Sequence, residues 1–599
     1  MDWLEAKQKL WKILDISPEF KKVLCARYPT KEKREKINEF LSQKYDANLE
    51  EDLKIHSLEW IITRDAVKMM RQIFSHRSAN LSKFDFLNYL DVILGFKKAN
   101  HLVCPSEGFL EEVKHLLLAL EGKTKIYPAQ KPAFLKYKGR MAAKLRSSDL
   151  TQLTKKVSSF TKRYLCGLSE SIVQERLQNK KRILDFFHAT QSDWDDWKWH
   201  IAHIIQSSEV IQKLIELSEE EKKSIELTAK NRIPFGITPY YLSLMDYKKG
   251  REKDYAIRAQ VIPPLSYIDN VSQKNEQPQG CMDFMREADT SPIDGITRRY
   301  PMIVILKPFL TCPQICVYCQ RNWQIHSVDS PEALLQPKKL QAALQWIQSE
   351  KTVTEVLVTG GDPLMLSDEQ IGSILESLAS ISHIERIRIG TRTFVTMPQR
   401  MSDSLVKIIS QYHVPGRREI LMVTHFEHAY EITPESMQAV QKFRKCGIDV
   451  YNQLVYTFYN SRRFEACFLR NKLRLIGVNP YYTFNTKGKE ETEEYRVPIT
   501  RLLQEQKEEA RVFPGSVRTD EVVFNVPGMG KNYLRASQHR DLITIFPDGR
   551  RMYEFHPWEK KISNVDTYLY TDVSIYDYLQ RLVSSGEHPE DYKSIWYYY

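Results

Sequence analysis

Two rhythms of apolar residues divide the chain. In residues 1–122 leucine, isoleucine and phenylalanine fall three and four apart, as at Phe109, Val113, Leu116, Leu117 and Leu120, and this predicts a mostly helical N-terminal extension. Further on, short β-rich runs alternate with helical ones: MIVIL at 302–306, EVLVT at 355–359, ERIRI at 385–389, EILMVT at 419–424, DVYNQLVYT at 449–457 and NPYYTF at 479–484. After the first, they recur about every 30 residues. Helix starts lie between them, with a capping box at Ser367-x-x-Gln370 and Thr433-Pro434 as N-cap plus first-turn proline. Six βα units in succession predict an α/β fold, a partial (β/α)6 TIM-like barrel with its chemistry at the carboxyl ends of the strands. Ahead of it, WDDWKWHIAHII, a capping box at Ser218-x-x-Glu221 and a proline-rich stretch at 233–301 form an approach to that core. Behind it, ITIFPDGRRMYEF reads as a hairpin turning at Asp548-Gly549.

Composition narrows the class. With 599 residues, 42% hydrophobic and 27% charged, the chain can bury several cores. No apolar run approaches the ~20 residues of a membrane helix, and the opening MDWLEAKQKLWKIL lacks a signal-peptide core. A cytoplasmic protein with no membrane partner is expected. The net charge of +11 arises N-terminally, since residues 1–200 hold 37 Lys/Arg against 26 Asp/Glu. Within 123–182 the balance is 16 basic to 3 acidic. A solvated helical face explains this segment most simply, and nucleic-acid binding is its alternative. The expected division is a helical region 1–122, a basic segment 123–193, a catalytic approach 194–298, the barrel 299–485 and a C-terminal region 486–599.

Cys312-x3-Cys316-x2-Cys319 directly follows the first strand of the series. Three thiolates on one loop can ligate three irons of a [4Fe-4S] cluster and leave the fourth iron open, whereas zinc would want a fourth ligand in register. Glycine is scarce, 22 in 599 residues, so clustered glycines are informative. Thr359-Gly360-Gly361-Asp362 ends the second strand, and Pro527-Gly528-Met529-Gly530-Lys531 puts a lysine after a glycine-rich turn.

The cysteine triplet resembles that of radical S-adenosylmethionine (SAM) enzymes. WDDWKWHI, ITPYYLSLMD, TSPIDGITRRYP, VTGGDPLMLSDEQI, IRIGTRTFVTMPQR, VTHFEHAYEIT and the Asn452-Gln453 pair make residues 194 to about 560 similar to the lysine 2,3-aminomutase family within that superfamily. The resemblance implies a radical SAM type barrel, a [4Fe-4S] cluster on Cys312, Cys316 and Cys319, SAM on its open iron, and pyridoxal 5'-phosphate (PLP). It implies SAM contacts at Tyr318, Gly360, Gly361, Asp362 and Gln453. Lys531 would be the Schiff-base lysine, Arg299 would meet the PLP phosphate, and Arg321 would clasp the substrate's α-carboxylate. A second phosphate arginine of the family is Ile303 here.

Lysine-using members hold the distant ammonium with two aspartates. At those positions this chain has Lys487 and Asn525, a cation and an amide, which suit a carboxylate. The pair is similar to the glutamate 2,3-aminomutase branch and implies conversion of L-glutamate to 3-aminoglutarate (β-glutamate). Lysine 2,3-aminomutase, a relative acting on a protein lysine, and an RNA-binding or scaffold protein are the alternatives. The family also implies a one-electron donor such as flavodoxin or ferredoxin, and a homo-oligomer.

Overall fold

The computed structural model describes the chain apart from residues 51–56, 128–129, 251–252, 276–281, 329, 487–488, 537–539 and 557–566. It forms two compact units, one of residues 160–496 with 513–531, the other of 1–159, 497–512 and 532–599.

The first unit is built on a nine-stranded sheet whose strands follow one another in chain order. They are β1 (Ile296–Thr297), β2 (Ile303–Phe309), β3 (Glu355–Gly360), β4 (Arg386–Gly390), β5 (Glu419–Thr424), β6 (Asp449–Tyr456), β7 (Val478–Asn485), β8 (Glu521–Val526) and β9 (Gly530–Tyr533). β1 is antiparallel to β2, and β2 through β8 lie parallel, each to the next. Parallel neighbours need a crossover, and helices Pro337–Ser349, Asp368–Ser380, Asp403–Ser410, Pro434–Lys445 and Glu465–Leu475 supply those after β2 to β6. There are thus seven parallel strands where the apolar rhythm shows six. The seventh, EVVFNV, follows a longer gap than those separating β3 to β7 and falls outside their spacing.

Helix starts form as their chemistry requires. Gln370 N–H donates to Ser367 Oγ at 3.2 Å while Ser367 N–H donates to Gln370 Oε1 at 3.0 Å. Thr433 and Ser436 make the same reciprocal pair at 2.9 and 2.8 Å.

Register separates two faces of the sheet. Val304, Val356, Ile387 and Ile420 form one row across β2–β5 and are fully buried, which is the apolar face that crossover helices cover. The alternate residues make a polar inner face. There Ile303, Glu355, Arg386 and Glu419 share one row, and Ile305, Leu357, Arg388 and Leu421 share the next. Arg386 bridges Glu355 at 2.9 Å and Glu419 at 2.5 Å, and Arg388 meets Glu355 and Tyr481 Oη, the latter at 2.8 Å. A partial barrel lined in this way can receive charged ligands.

The other unit joins N-terminal helices to an antiparallel sheet of β10 (Arg540–Ile545), β11 (Arg551–Phe555) and β12 (Tyr568–Thr571). Phe109, Val113, Leu116, Leu117 and Leu120 are all buried on helix Glu107–Leu120. Gly549 turns the β10–β11 hairpin at φ +82°. The basic helix Gly139–Thr161 buries only Val157, as a solvated face would. Among the described residues no helix is long and apolar enough to cross a membrane.

Candidate active site

The loop leaving β2 carries Cys312, Cys316 and Cys319 as free thiols. Burial pushes the Cys312 thiol well up and Cys316 to about 11, and the neighbouring thiols add to both effects. Three free cysteines on one loop, each acting electrostatically on its neighbours, suit a metal that would take them as thiolates. Arg392 donates from Nη1 to Cys316 Sγ at 2.8 Å and from Nη2 to Glu431 Oε1 at 2.8 Å. A cation beside a sulfur ligand favours its charged form.

The glycine pair has a steric reason. A Cβ on Gly361 would lie 2.2 Å from Thr311 O and 2.5 Å from Thr311 N, so the cysteine loop packs directly on the bare backbone. Gly360 has φ +122°, which favours glycine. Two backbone bonds lock the contact, Gly361 N–H to Phe309 O and Asp362 N–H to Thr311 O, both 2.8 Å. The Asp362 carboxylate accepts from Thr391 Oγ1 at 2.8 and 2.9 Å, from Arg392 N at 2.8 Å and from Leu364 N at 3.1 Å. It therefore ties the end of β3 to the end of β4, beside the thiols.

Tyr318 packs against a buried cluster that includes Tyr495, whose ring centroid is 5.9 Å from its own, and its hydroxyl donates to Gln260 Oε1 at 2.9 Å. Glu427 lies nearby. Burial raises its carboxyl to about 8, and its Oε1 is buried without a hydrogen bond, 3.9 Å from His425 Nδ1. Gln453 sits on β6 at a register shift, next to Asn452. Asn452 latches Phe426 through bonds of 2.7 and 3.0 Å.

Lys531 begins β9 beside Gly530. Its Nζ lies over the rings of Tyr482 and Tyr300, 4.2 and 5.0 Å from their centroids. Burial, and then the Arg388 charge, lower its amine from 10.5 to about 8. An amine lowered in this way has a far larger neutral fraction near pH 7 than an ordinary lysine, and the neutral amine is the nucleophile for a carbonyl. Gly528 turns the loop at φ +68°, and its N–H donates to Met285 O at 3.0 Å. The same carbonyl accepts from Arg299 Nη2 at 3.3 Å. Arg299 thus stands at the lysine loop with its Nε buried and unpartnered. A buried guanidinium with an unmet donor, beside a depressed lysine, fits a phosphorylated aldehyde such as PLP.

Arg321 is gripped along one edge by Glu287, with Nε 3.0 Å from both carboxylate oxygens and Nη2 2.8 Å from Oε1. Arg321 then holds Glu287 down to about 2 against the opposing effect of burial. Asn525 sits near the carboxyl end of β8, two residues after Val523, which is paired through Phe484 and Val455 to the inner-face side of β6 and β7. Lys487 lies outside the described residues. Lys489, two positions on, is buried, pairs with Glu491 at 2.9 Å and donates to Asn322 Oδ1 at 2.6 Å. Arg392, Glu427, Glu287 and Gln260 were not singled out from sequence. Arg392 and Glu427 had a signal there, their places just beyond the ends of β4 and β5.

Residues 306–466 match the radical SAM superfamily. A KamA family protein of Methanocaldococcus jannaschii, itself uncharacterized, is 41% identical over 97% of this chain and 96% of its own length. The chain belongs to the KamA family. Glutamate 2,3-aminomutase of Clostridioides difficile is 32% identical over 60% of this chain and 81% of its own. L-lysine 2,3-aminomutase of Acetoanaerobium sticklandii is 32% identical over 60% and 84%. This KamA protein is therefore an isomerase of the radical SAM aminomutase kind, with the superfamily's [4Fe-4S] cluster and SAM. Equal identity to a glutamate and a lysine enzyme does not select a substrate.

Proposed function

We propose that the protein is a PLP-dependent 2,3-aminomutase that converts L-glutamate to 3-aminoglutarate. The observation that carries this reading is Lys531, a buried amine lowered to about 8 whose loop shares the Met285 carbonyl with Arg299. Cys312, Cys316 and Cys319 would hold the cluster, Lys531 the PLP aldehyde and Arg299 its phosphate. When bound, SAM on the cluster supplies a radical that takes hydrogen from substrate C3, and PLP carries the migrating nitrogen.

The chain's own residues bind and orient. Arg321 fixes the α-carboxylate and so sets where C3 lies relative to the cysteine loop. Asn525, with Lys487, offers a cation and amide donors to a γ-carboxylate. Glu287, beside Arg321, and Glu355, on the inner face of the sheet, are each already held by an arginine. An incoming ammonium would find both occupied, whereas a dicarboxylate would not. The Tyr482 and Tyr300 rings narrow the space around Lys531 and exclude water from it.

Anaerobically reconstituted protein given L-glutamate or L-lysine tests the reading. Formation of 3-aminoglutarate is expected. Turnover of L-lysine with none of L-glutamate rejects the substrate, and lysine 2,3-aminomutase then takes its place.

A further inference from the structure

The polar inner face holds one buried ammonium with no role in the proposed reaction. Lys307 follows Ile305 and Leu306 on β2 and is 6% exposed. Its Nζ reaches a single acceptor, Gln324 Oε1, at a long 3.4 Å, and it forms no ion pair among the described residues. Elsewhere in the chain, buried lysines find carboxylates, as Lys33 does in Asp91 at 2.8 Å and Lys489 in Glu491 at 2.9 Å. A buried charge lacking such a partner is costly to keep, which points to an anion supplied from outside the chain.

The position is fixed by backbone. Lys307 N–H donates to Gly295 O at 2.8 Å, and a Cβ on Gly360 would come within 3.0 Å of the Lys307 Cβ. The side chain therefore starts beneath the glycine pair that seats the cysteine loop. Gln324 N–H donates to Arg321 O at 2.8 Å, so the turn that presents Gln324 to Lys307 also carries Arg321. Glu287 takes Nε and Nη2 of Arg321 and feels the charges of Arg321, Lys307 and Arg299, in that order.

Charge counting gives Lys307 its use. Arg321 and Glu287 cancel, so a carboxylate docked on the remaining Nη1 edge would lose water to a neutral pair. A neighbouring ammonium restores the missing positive charge. We propose that Lys307 is a further substrate-binding residue that holds the α-carboxylate together with Arg321, while Glu287 is a positioning residue that holds the other edge of Arg321. This rests on the proposed function in taking the ligand to be an α-amino acid whose carboxylate meets Arg321 beside bound PLP.

The test uses the full chain reconstituted with iron, sulfide and PLP, without reductant, as wild type, Lys307→Met and Lys307→Arg. L-Glutamate and L-lysine are titrated separately while the visible absorbance of the cofactor is followed, PLP affinity is measured by the same signal, and iron is counted. Lys307→Met is expected to weaken the responding amino acid about tenfold or more and Lys307→Arg much less, with PLP affinity and iron unchanged. Unchanged amino acid affinity in Lys307→Met overturns the proposal. Weaker PLP binding overturns it in favour of a phosphate contact, and loss of iron in favour of a role in the loop. Should Lys307→Met not fold, Lys307→Gln removes the same charge and is read the same way. A wild type that answers L-lysine and not L-glutamate sinks the glutamate assignment, yet the Lys307 comparison is still made on L-lysine; a wild type that answers neither sinks both.

Discussion

Two cations of the helical unit and three of the barrel's ligand-facing region are partnered differently. In the helical unit Arg551 is closed by Glu112 through bonds of 2.9 and 2.8 Å and by the Trp596 and Tyr598 carbonyls at 2.8 Å. Arg501 is closed by Glu505 at 2.5 Å and Gln504 at 3.1 Å. On the inner face of the barrel, Arg299 has one long bond and an unmet Nε, Lys307 a 3.4 Å contact, and Lys531 rests on two rings. Saturated cations pin elements together. Under-partnered ones keep their binding capacity for ligands, and where they cluster they mark the site.

Substitutions on either side should part along this line. The largest effect is expected from Lys531→Ala, which should abolish turnover and the yellow colour of bound PLP while leaving iron content intact; retention of that colour would remove Lys531 from the cofactor site. Gly361→Ala comes next, because a Cβ 2.2 Å from Thr311 O must displace the cysteine loop. Iron per chain should fall severalfold with the helical unit still folded, as measured by metal analysis alongside circular dichroism.

Glu112→Ala is the reverse case, since it strands Arg551 in the interior. It should cost about 3–5 kcal/mol, read as a lower unfolding midpoint, with PLP affinity unchanged in the folded fraction. Arg299→Met should weaken PLP by about 10- to 100-fold, the worth of a charge-assisted contact, and leave the unfolding midpoint nearly in place.

The smallest effect is one of pH. Lys531 binds fewer protons folded than unfolded between about 8 and its ordinary 10.5. Its burial therefore destabilises the apo protein fully below pH 8, and the penalty is relieved as pH rises from 8 to 10.5. The rate at which PLP attaches should rise with pH around a midpoint near 8. A midpoint near 10 would mean an ordinary surface lysine.

What could be read in the sequence was local. Alternating apolar runs gave away β2 to β7, and the capping residues gave away the helices after β3 and β5, because each depends on neighbours within a few positions. The cysteine spacing and both glycine clusters were visible for the same reason. The strand EVVFNV was missed because a long insertion broke the rhythm before it. Contacts such as Arg392 with Cys316 or Glu287 with Arg321 join residues 76 and 34 positions apart. No spacing rule reaches them. Likewise, a unit assembled from residues 1–159, 497–512 and 532–599 follows from packing that only the folded chain displays.

The central claim is that radical chemistry reaches C3 of glutamate within this barrel. Its most direct measurement is the fate of deuterium placed at C3 of L-glutamate during anaerobic turnover with SAM. The account predicts label in 5'-deoxyadenosine and at C2 of 3-aminoglutarate. Unlabelled 5'-deoxyadenosine, with glutamate recovered unchanged, would contradict it.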